Sequence, residues 1–165
     1  MVVGGGAVAS RKVGKLVHAA AEVVVISPEV LPELAGMDVE ILHRPYKYGD
    51  LRRASLAFTA TDSREVNAAV AREAKERGVP INVADSPAEG DFAVPSTLRR
   101  GGLQVAVSTG GASPTLARRI RNELEEAFGP EWAGVVRKFD MARRGGAPGQ
   151  DLEEEVSRCL SRLWG

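Results

Sequence analysis

Gly4-Gly5-Gly6-Ala7-Val8-Ala9 comes straight after the apolar pair Val2-Val3 and opens an amphipathic stretch from Arg11 to Ala21. Few local patterns restrict a fold as tightly. In a βαβ unit that holds a dinucleotide, a first glycine (Gly4) permits the tight turn and a second (Gly6) lets the backbone approach a pyrophosphate. A third small residue, Ala9, lets the helix pack close to its strand. The pyrophosphate then rests on free N–H groups at the positive end of the helix. Glycine-rich turns are common, and the bland alternative is an ordinary strand–helix turn. The context weighs against it, because a second β-like run, Val23-Val24-Val25-Ile26, follows at the expected distance. Only three residues precede the turn, where a strand commonly has about five, so either the first strand is short or the sequence given starts within it.

The first half of the chain continues to alternate. Val8, Val13, Leu16, Val17 and Ala20 recur at helical spacing, and Val39–Leu42 and Leu56–Ala60 read as strands. Asp62-Ser63-Arg64-Glu65 resembles a capping box with Asp62 as the cap, and its helix stops at Arg77-Gly78. Pro80–Asp85 is a further strand ending on a carboxylate. Near-continuous apolar strands alternating with helices predict a parallel sheet covered on both faces. After Asp85 the texture changes. Ser86–Asp91 is a turn cluster, Phe92–Pro95 is a candidate short strand, and Leu103–Ser108 alternates with a period of two. Such a strand buries one face, is often antiparallel, and needs a cover that a second copy of the chain could supply. Ser113 and Pro114 then read as N-cap and first residue of a helix with the apolar stripe Leu116, Ile120 and Leu124. Arg143–Gln150 reads as a loop, and a last helix is expected from Asp151 to Leu163. The fold class is therefore α/β: a Rossmann-like parallel sheet with helices on both faces, a small β region and a helical C-terminal region. The expected divisions are 1–87, 88–114 and 115–165.

Charge narrows the partners. Lys plus Arg equals Asp plus Glu at 22 each, so nothing draws the whole molecule to nucleic acid or an anionic membrane. No apolar run approaches the ~18 residues of a membrane span, and no secretory leader opens the sequence. With the lone Cys159 unable to form an internal disulfide, a cytoplasmic setting is expected. The distribution of charge is less even. No Asp or Glu falls between Phe92 and Asn122, while Arg99, Arg100, Arg118, Arg119 and Arg121 do. These arginines form either a solvated face, balanced through Arg119–Glu123 and Arg121–Glu125 at i, i+4, or a holder for a polyanion. The Ser108–Ser113 loop adds N–H groups and a helix N-terminus. Few aromatics lie near, which makes base stacking, and so a nucleic-acid partner, poor. Asp85 stands at the carboxyl end of a strand, where ligands bind in this architecture; it either caps the Ser86-Pro87 turn or does chemistry. His18, His43 and Cys159 make no ligand pattern, so no protein-built metal site is expected. At the end of the second strand Ser27-Pro28-Glu29 offers an acid for ribose hydroxyls and no arginine for a 2′-phosphate, favouring NAD over NADP.

Taken together, Gly4–Lys12, Ser27-Pro28-Glu29, Ala60-Thr61-Asp62 with Val66-Asn67, Asn82–Asp85, Asp91-Phe92 with Pro95, and Ser108–Pro114 with Leu116-Ala117-Arg118 resemble the precorrin-2 dehydrogenases. These form the N-terminal module of siroheme synthase and also occur as free-standing enzymes. The likeness spans roughly residues 1–128, and the Ser-Thr-Gly-Gly-Ala-Ser-Pro run is its most specific part. It implies oxidation of precorrin-2 to sirohydrochlorin with NAD as hydride acceptor, in some members with ferrous iron insertion, by a homodimer joined through the region after Asp85. It puts the catalytic aspartate at Asp85 and NAD contacts at Gly4, Gly6, Ala7, Val8, Ser27, Pro28, Glu29, Ala60 and Thr61. The eight carboxylates of precorrin-2 would account for the acid-free segment, with Arg99, Arg100, Arg118, Ser108, Thr109, Gly110 and Ser113 as substrate contacts. The residue that relatives phosphorylate falls on Thr109. The fused enzyme's methyltransferase module has no counterpart here, so methylation of uroporphyrinogen is not expected. Two other readings remain: a NAD-sensing regulatory module without turnover, and a chelatase without redox activity.

Overall fold

The computed structural model describes residues 1–145 and 150–164, and the chain divides into two compact units, Met1–Val94 and Pro95–Gly165. In the first, five short strands form a parallel sheet: β1 (Val2–Val3), β2 (Val24–Ile26), β3 (Glu40–Leu42), β4 (Ala57–Thr59) and β5 (Ile81–Val83). Their order is β3-β2-β1-β4-β5. Val2 pairs in register with Val25 on one side and Phe58 on the other, so the two-residue β1 is the central strand. Side chains alternate across a pleat, and the two residues of β1 accordingly enter different cores. Val2 packs with Ala9, Val13, Val25, Leu34 and Phe58. Val3 packs with Leu51, Ala57, Val70, Ala74 and Ile81 on the opposite face.

The helices follow from this two-sided burial. Helix α1 (Ala7–His18) buries Ala9 and Val13, and the short α2 (Pro32–Ala35) buries Leu34. Helix α3 (Arg64–Arg77) buries Val70 and Ala74 and ends at Gly78, whose φ of 65° is the left-handed cap expected of Arg77-Gly78. Its N-cap is Ser63, whose hydroxyl accepts from the Val66 N–H at 3.3 Å, and not Asp62. The extended backbone of Ser63 puts its side chain over the first turn, one residue later than the capping-box spacing implied. Between β3 and β4 the chain crosses the sheet with only a 3-10 turn, Asp50–Arg53. Because the strand order reverses at β1, a crevice opens beyond its carboxyl end, beside β4.

In the second unit β6 (Ser96–Arg100) and β7 (Leu103–Val107) form an antiparallel hairpin around Gly101-Gly102. β7 is half-buried at Leu103, Val105 and Val107 and exposed at Gln104 and Ala106, the one-sided pattern its alternation predicts. The strand considered over Phe92–Pro95 is not formed; pairing starts at Ser96. Three helices follow: α4 (Pro114–Ala127), α5 (Trp132–Gly145) and α6 (Gln150–Trp164). Ser113 caps α4 through the Leu116 N–H at 3.1 Å, with Pro114 in the first turn. The loop expected from Arg143 gives way to helix through Gly145, and residues 146–149 of that loop lie outside the described residues. Trp132, Val135 and Cys159 form the core with Leu103, Phe128 and Val156. Leu116 and Ile120 of the α4 stripe stay 49% and 39% exposed. Among the described residues, no helix is long and apolar enough to cross a membrane.

Candidate functional site

A cleft of about 530 Å³ lies at the carboxyl ends of β1, β2 and β4, walled by Gly4–Gly6, Ser27–Leu31, Pro45-Tyr46 and Ala60–Ser63 with Val66. The three glycines differ in their surroundings. Gly4 has φ +123°, and a Cβ there would overlap the Ala60 carbonyl. At Gly5 a Cβ would overlap the Glu29 carbonyl oxygen. Beyond its own stretch of chain, no atom of the described residues lies within 4 Å of where a Gly6 Cβ would stand. The turn is thus packed from behind by two backbones and open in front. Gly6 is the N-cap of α1, makes no side-chain cap and is followed by no acid in the first turn. The N–H groups of Ala7 and Val8 have no helical carbonyl to donate to, and Ala9 is fully buried against the sheet. Exposed donors at the positive end of a 12-residue helix fit a diphosphate.

The other two walls are held in place by hydrogen bonds. Ser27 is buried; its hydroxyl donates to the Glu29 carbonyl at 2.6 Å, and the Leu31 N–H donates to the Gly5 carbonyl at 2.9 Å. The Ser27–Leu31 turn and the glycine turn are therefore interlocked, with Pro28 and Glu29 left exposed. The Ala60-Thr61 wall rests on Asn67, which is 1% exposed. Its Oδ1 accepts from the Thr59 and Thr61 hydroxyls at 2.5 and 2.8 Å, and its Nδ2 donates to the Thr61 carbonyl at 3.0 Å. Tyr46 closes the fourth side by donating its hydroxyl to the fully buried Glu73 carboxylate. Glu73 also accepts from Gly49 N at 2.8 Å, Leu51 N at 3.2 Å and Arg77 Nε at 2.5 Å. Burial alone would push the Glu73 carboxyl up, but the bonds from Tyr46, Gly49, Arg77 and Leu51 outweigh it and hold it below the usual range. Burial and that carboxylate push the Tyr46 phenol up.

Gly4, Gly6, Ser27, Pro28, Glu29, Ala60 and Thr61 all line this cleft, with Ala7 and Val8 in the first turn of α1 beside it. Asp85 lies outside its lining, on the bend after β5. It makes no hydrogen bond to the Ser86-Pro87 turn among the described residues. Arg64 Nη1 stands 3.9 Å from its Oδ2, and the same guanidinium is hydrogen-bonded to Glu89. That bond, against a smaller desolvation effect, holds the Glu89 carboxyl below its usual range.

Within the second unit the arginines separate by what they touch. Arg100 donates Nε to the Phe128 carbonyl at 2.8 Å and Nη2 to the Glu125 carbonyl at 3.0 Å, tying β6 to the end of α4. Arg121 pairs with Glu125 as its spacing predicts, whereas no Arg119–Glu123 pair forms among the described residues. Arg99 and Arg118 are exposed and, among the described residues, make no ion pair. In the Ser108–Ser113 loop, Thr109 Oγ1 accepts from Ser113 N at 3.0 Å, and Gly110 N donates to Ser108 Oγ at 3.2 Å. Gly110 and Gly111 sit at φ 61° and 87° with open space around them.

Tyr46, Glu73 and Arg64 have no role in the sequence reading, and Asn67 enters it only through the resemblance. The available signal for Asn67 and Glu73 is a polar residue on the helix face shared with Val70 and Ala74; for Tyr46 and Arg64 there is none.

Residues 1–96 match the family described as putative NAD(P)-binding, and residues 100–127 match the sirohaem biosynthesis protein central family. The chain is 48% identical over 129 residues to a siroheme synthase of Methylobacillus flagellatus, covering 76% of this chain and 28% of that one. It is 44% identical over 160 residues to a siroheme synthase of Thioalkalivibrio sulfidiphilus, covering 92% and 32%. The chain thus spans about a third of the length of these curated relatives. The solved structure of SirC, precorrin-2 dehydrogenase, has the same fold. Its TM-score is 0.76 at 24% identity, over 99% of this chain and 83% of that one.

Proposed function

Because the chain belongs to the putative NAD(P)-binding family, we propose that it oxidises precorrin-2 to sirohydrochlorin with NAD as the acceptor. The observation that carries the cofactor half is the glycine turn, sealed behind by Ala60 and Glu29 and open in front at Gly6. Glu29 borders the cleft and, among the described residues, no lysine or arginine lines it, so ribose hydroxyls are favoured there over a 2′-phosphate. The substrate half is supported by relatives named siroheme synthase and by the acid-free segment that carries Arg99 and Arg118. In this reading both guanidiniums take carboxylates of the tetrapyrrole, beside the exposed Gly110-Gly111 turn. Arg100 serves the fold, since its donors are engaged within its own unit.

The reaction removes two hydrogens from the macrocycle. When bound, NAD supplies the acceptor for the one that leaves with its electron pair. Asp85 accepts the accompanying proton, a role open to an exposed carboxylate beyond the carboxyl end of the sheet. The exposed Leu116 and Ile120 on α4 favour a second copy of the chain as their cover, in a homodimer.

Supplying the purified chain with precorrin-2 and NAD tests the proposal: NADH and sirohydrochlorin should appear in equal amounts. Asp85→Ala should lower kcat about 10²–10⁴-fold while NAD still binds. Cofactor binding without turnover would reject the dehydrogenase in favour of a sensing module.

A further inference from the structure

The geometry points to Arg64 as the residue that positions Asp85, with Glu89 as its anchor. The inference rests on the proposed role of Asp85. That carboxylate sits just past the last ladder bond, Ala84 N to the Thr59 carbonyl at 3.0 Å, on a bend, and it makes no hydrogen bond among the described residues. A side chain so placed has free rotamers, and a base must stand within reach of one particular proton. The only cation paired with it among the described residues is Arg64, at 3.9 Å.

Arg64 is itself tethered. It is the first residue of α3, directly after the Ser63 cap, and its other amino group is bonded to Glu89. Glu89 accepts from Ser86 Oγ at 3.1 Å. The loop carrying both is pinned to β5 at its far end, where Asp91 Oδ2 accepts from Ile81 N at 2.9 Å and Asp91 N donates to the Ile81 carbonyl at 2.8 Å. The guanidinium is thus shared by two carboxylates, one held by the loop and one free to turn toward a substrate. The side chains are 51%, 36% and 40% exposed for Arg64, Asp85 and Glu89. Exposed pairs of this kind contribute little to stability, so removing Arg64 should leave the fold standing and change only where the Asp85 carboxylate rests.

The test compares Arg64→Gln, Arg64→Lys, Asp85→Asn and the double variant Arg64→Gln/Asp85→Asn, measuring kcat, KM for precorrin-2 and the Kd for NAD. Arg64→Gln should lower kcat about 10-fold to 10²-fold with both binding constants unchanged, and Arg64→Lys should restore part of the loss. In the Asp85→Asn background the Arg64 change should cost nothing more, a coupling that a purely structural role would not produce. Full turnover by Arg64→Gln alongside a crippled Asp85→Asn overturns this inference and leaves the role of Asp85 standing. Losses that multiply, or a rise in KM alone, also overturn it. Full turnover by Asp85→Asn overturns both.

Discussion

An alanine at Gly5 would drive a methyl group into the Glu29 carbonyl, a backbone atom with nowhere to go. At Gly6 the same methyl would enter open space in front of the turn. The two neighbours should therefore separate folding from binding. Gly5→Ala should cost about 1–3 kcal/mol of stability through overpacking, measured by thermal unfolding. Gly6→Ala should leave the melting temperature within a degree or so, since surface changes stay near ±0.5 kcal/mol, and should weaken NAD binding at least about 10-fold by blocking close approach of the diphosphate. Spacing was enough to single out Gly4, Gly6 and Ala9, because their duties are set within one turn of chain. Gly5 occupies a position the motif leaves open. Its constraint comes from a carbonyl 24 positions later in the sequence, a contact that no local pattern encodes. Asn67 is the same case: helical periodicity marks where it lies but not that Thr59 and Thr61 need its oxygen.

At the level of elements, the segment from β3 to β4 crosses the sheet without a full helix, and Glu73 on α3 holds it there through Tyr46, Gly49 and Leu51. Glutamine at this position would keep one acceptor oxygen but turn an amino group toward donors. Glu73→Gln should cost about 1–3 kcal/mol in urea unfolding. The carboxyl titrates below its usual range in the folded chain. Its contribution is therefore complete above the unfolded value of about 4.3 and is lost as pH falls through the lower folded value. The Tyr46 phenol is shifted up, so its contribution is complete below about pH 10 and is lost as pH rises through the folded value. Both limbs should flatten in Glu73→Gln; unchanged limbs would mean that other groups set the pH dependence. Elements whose apolar residues recur over a full helix or whole strand were legible. α5 was missed because Gly134 and the charged Arg137-Lys138 interrupt its pattern, and β6 because Arg99-Arg100 end what is only a half-buried strand.

On the scale of the whole molecule, the two compact units carry separate cores, one pair around Val2 and Val3 and one around Trp132. Every residue lining the cleft belongs to Met1–Val94. A fragment of residues 1–94 is of ordinary domain size and should fold alone, bind NAD with the affinity of the full chain in calorimetric titration, and fail to turn over precorrin-2. The expected division at 87 falls within the Ser86–Asp91 turn cluster. The first unit extends to Val94 because Phe92 stacks edge-on against Phe58 at 5.5 Å and its carbonyl accepts from Asn82. A further consequence follows from the joint between Gly5 and the Ser27–Leu31 turn. Redesigning that turn to welcome a phosphorylated ribose would tug on the amides proposed to hold the diphosphate. With those contacts as proposed, coenzyme preference and coenzyme tightness become mechanically one property, and a swap of the acid alone should trade the second away for the first.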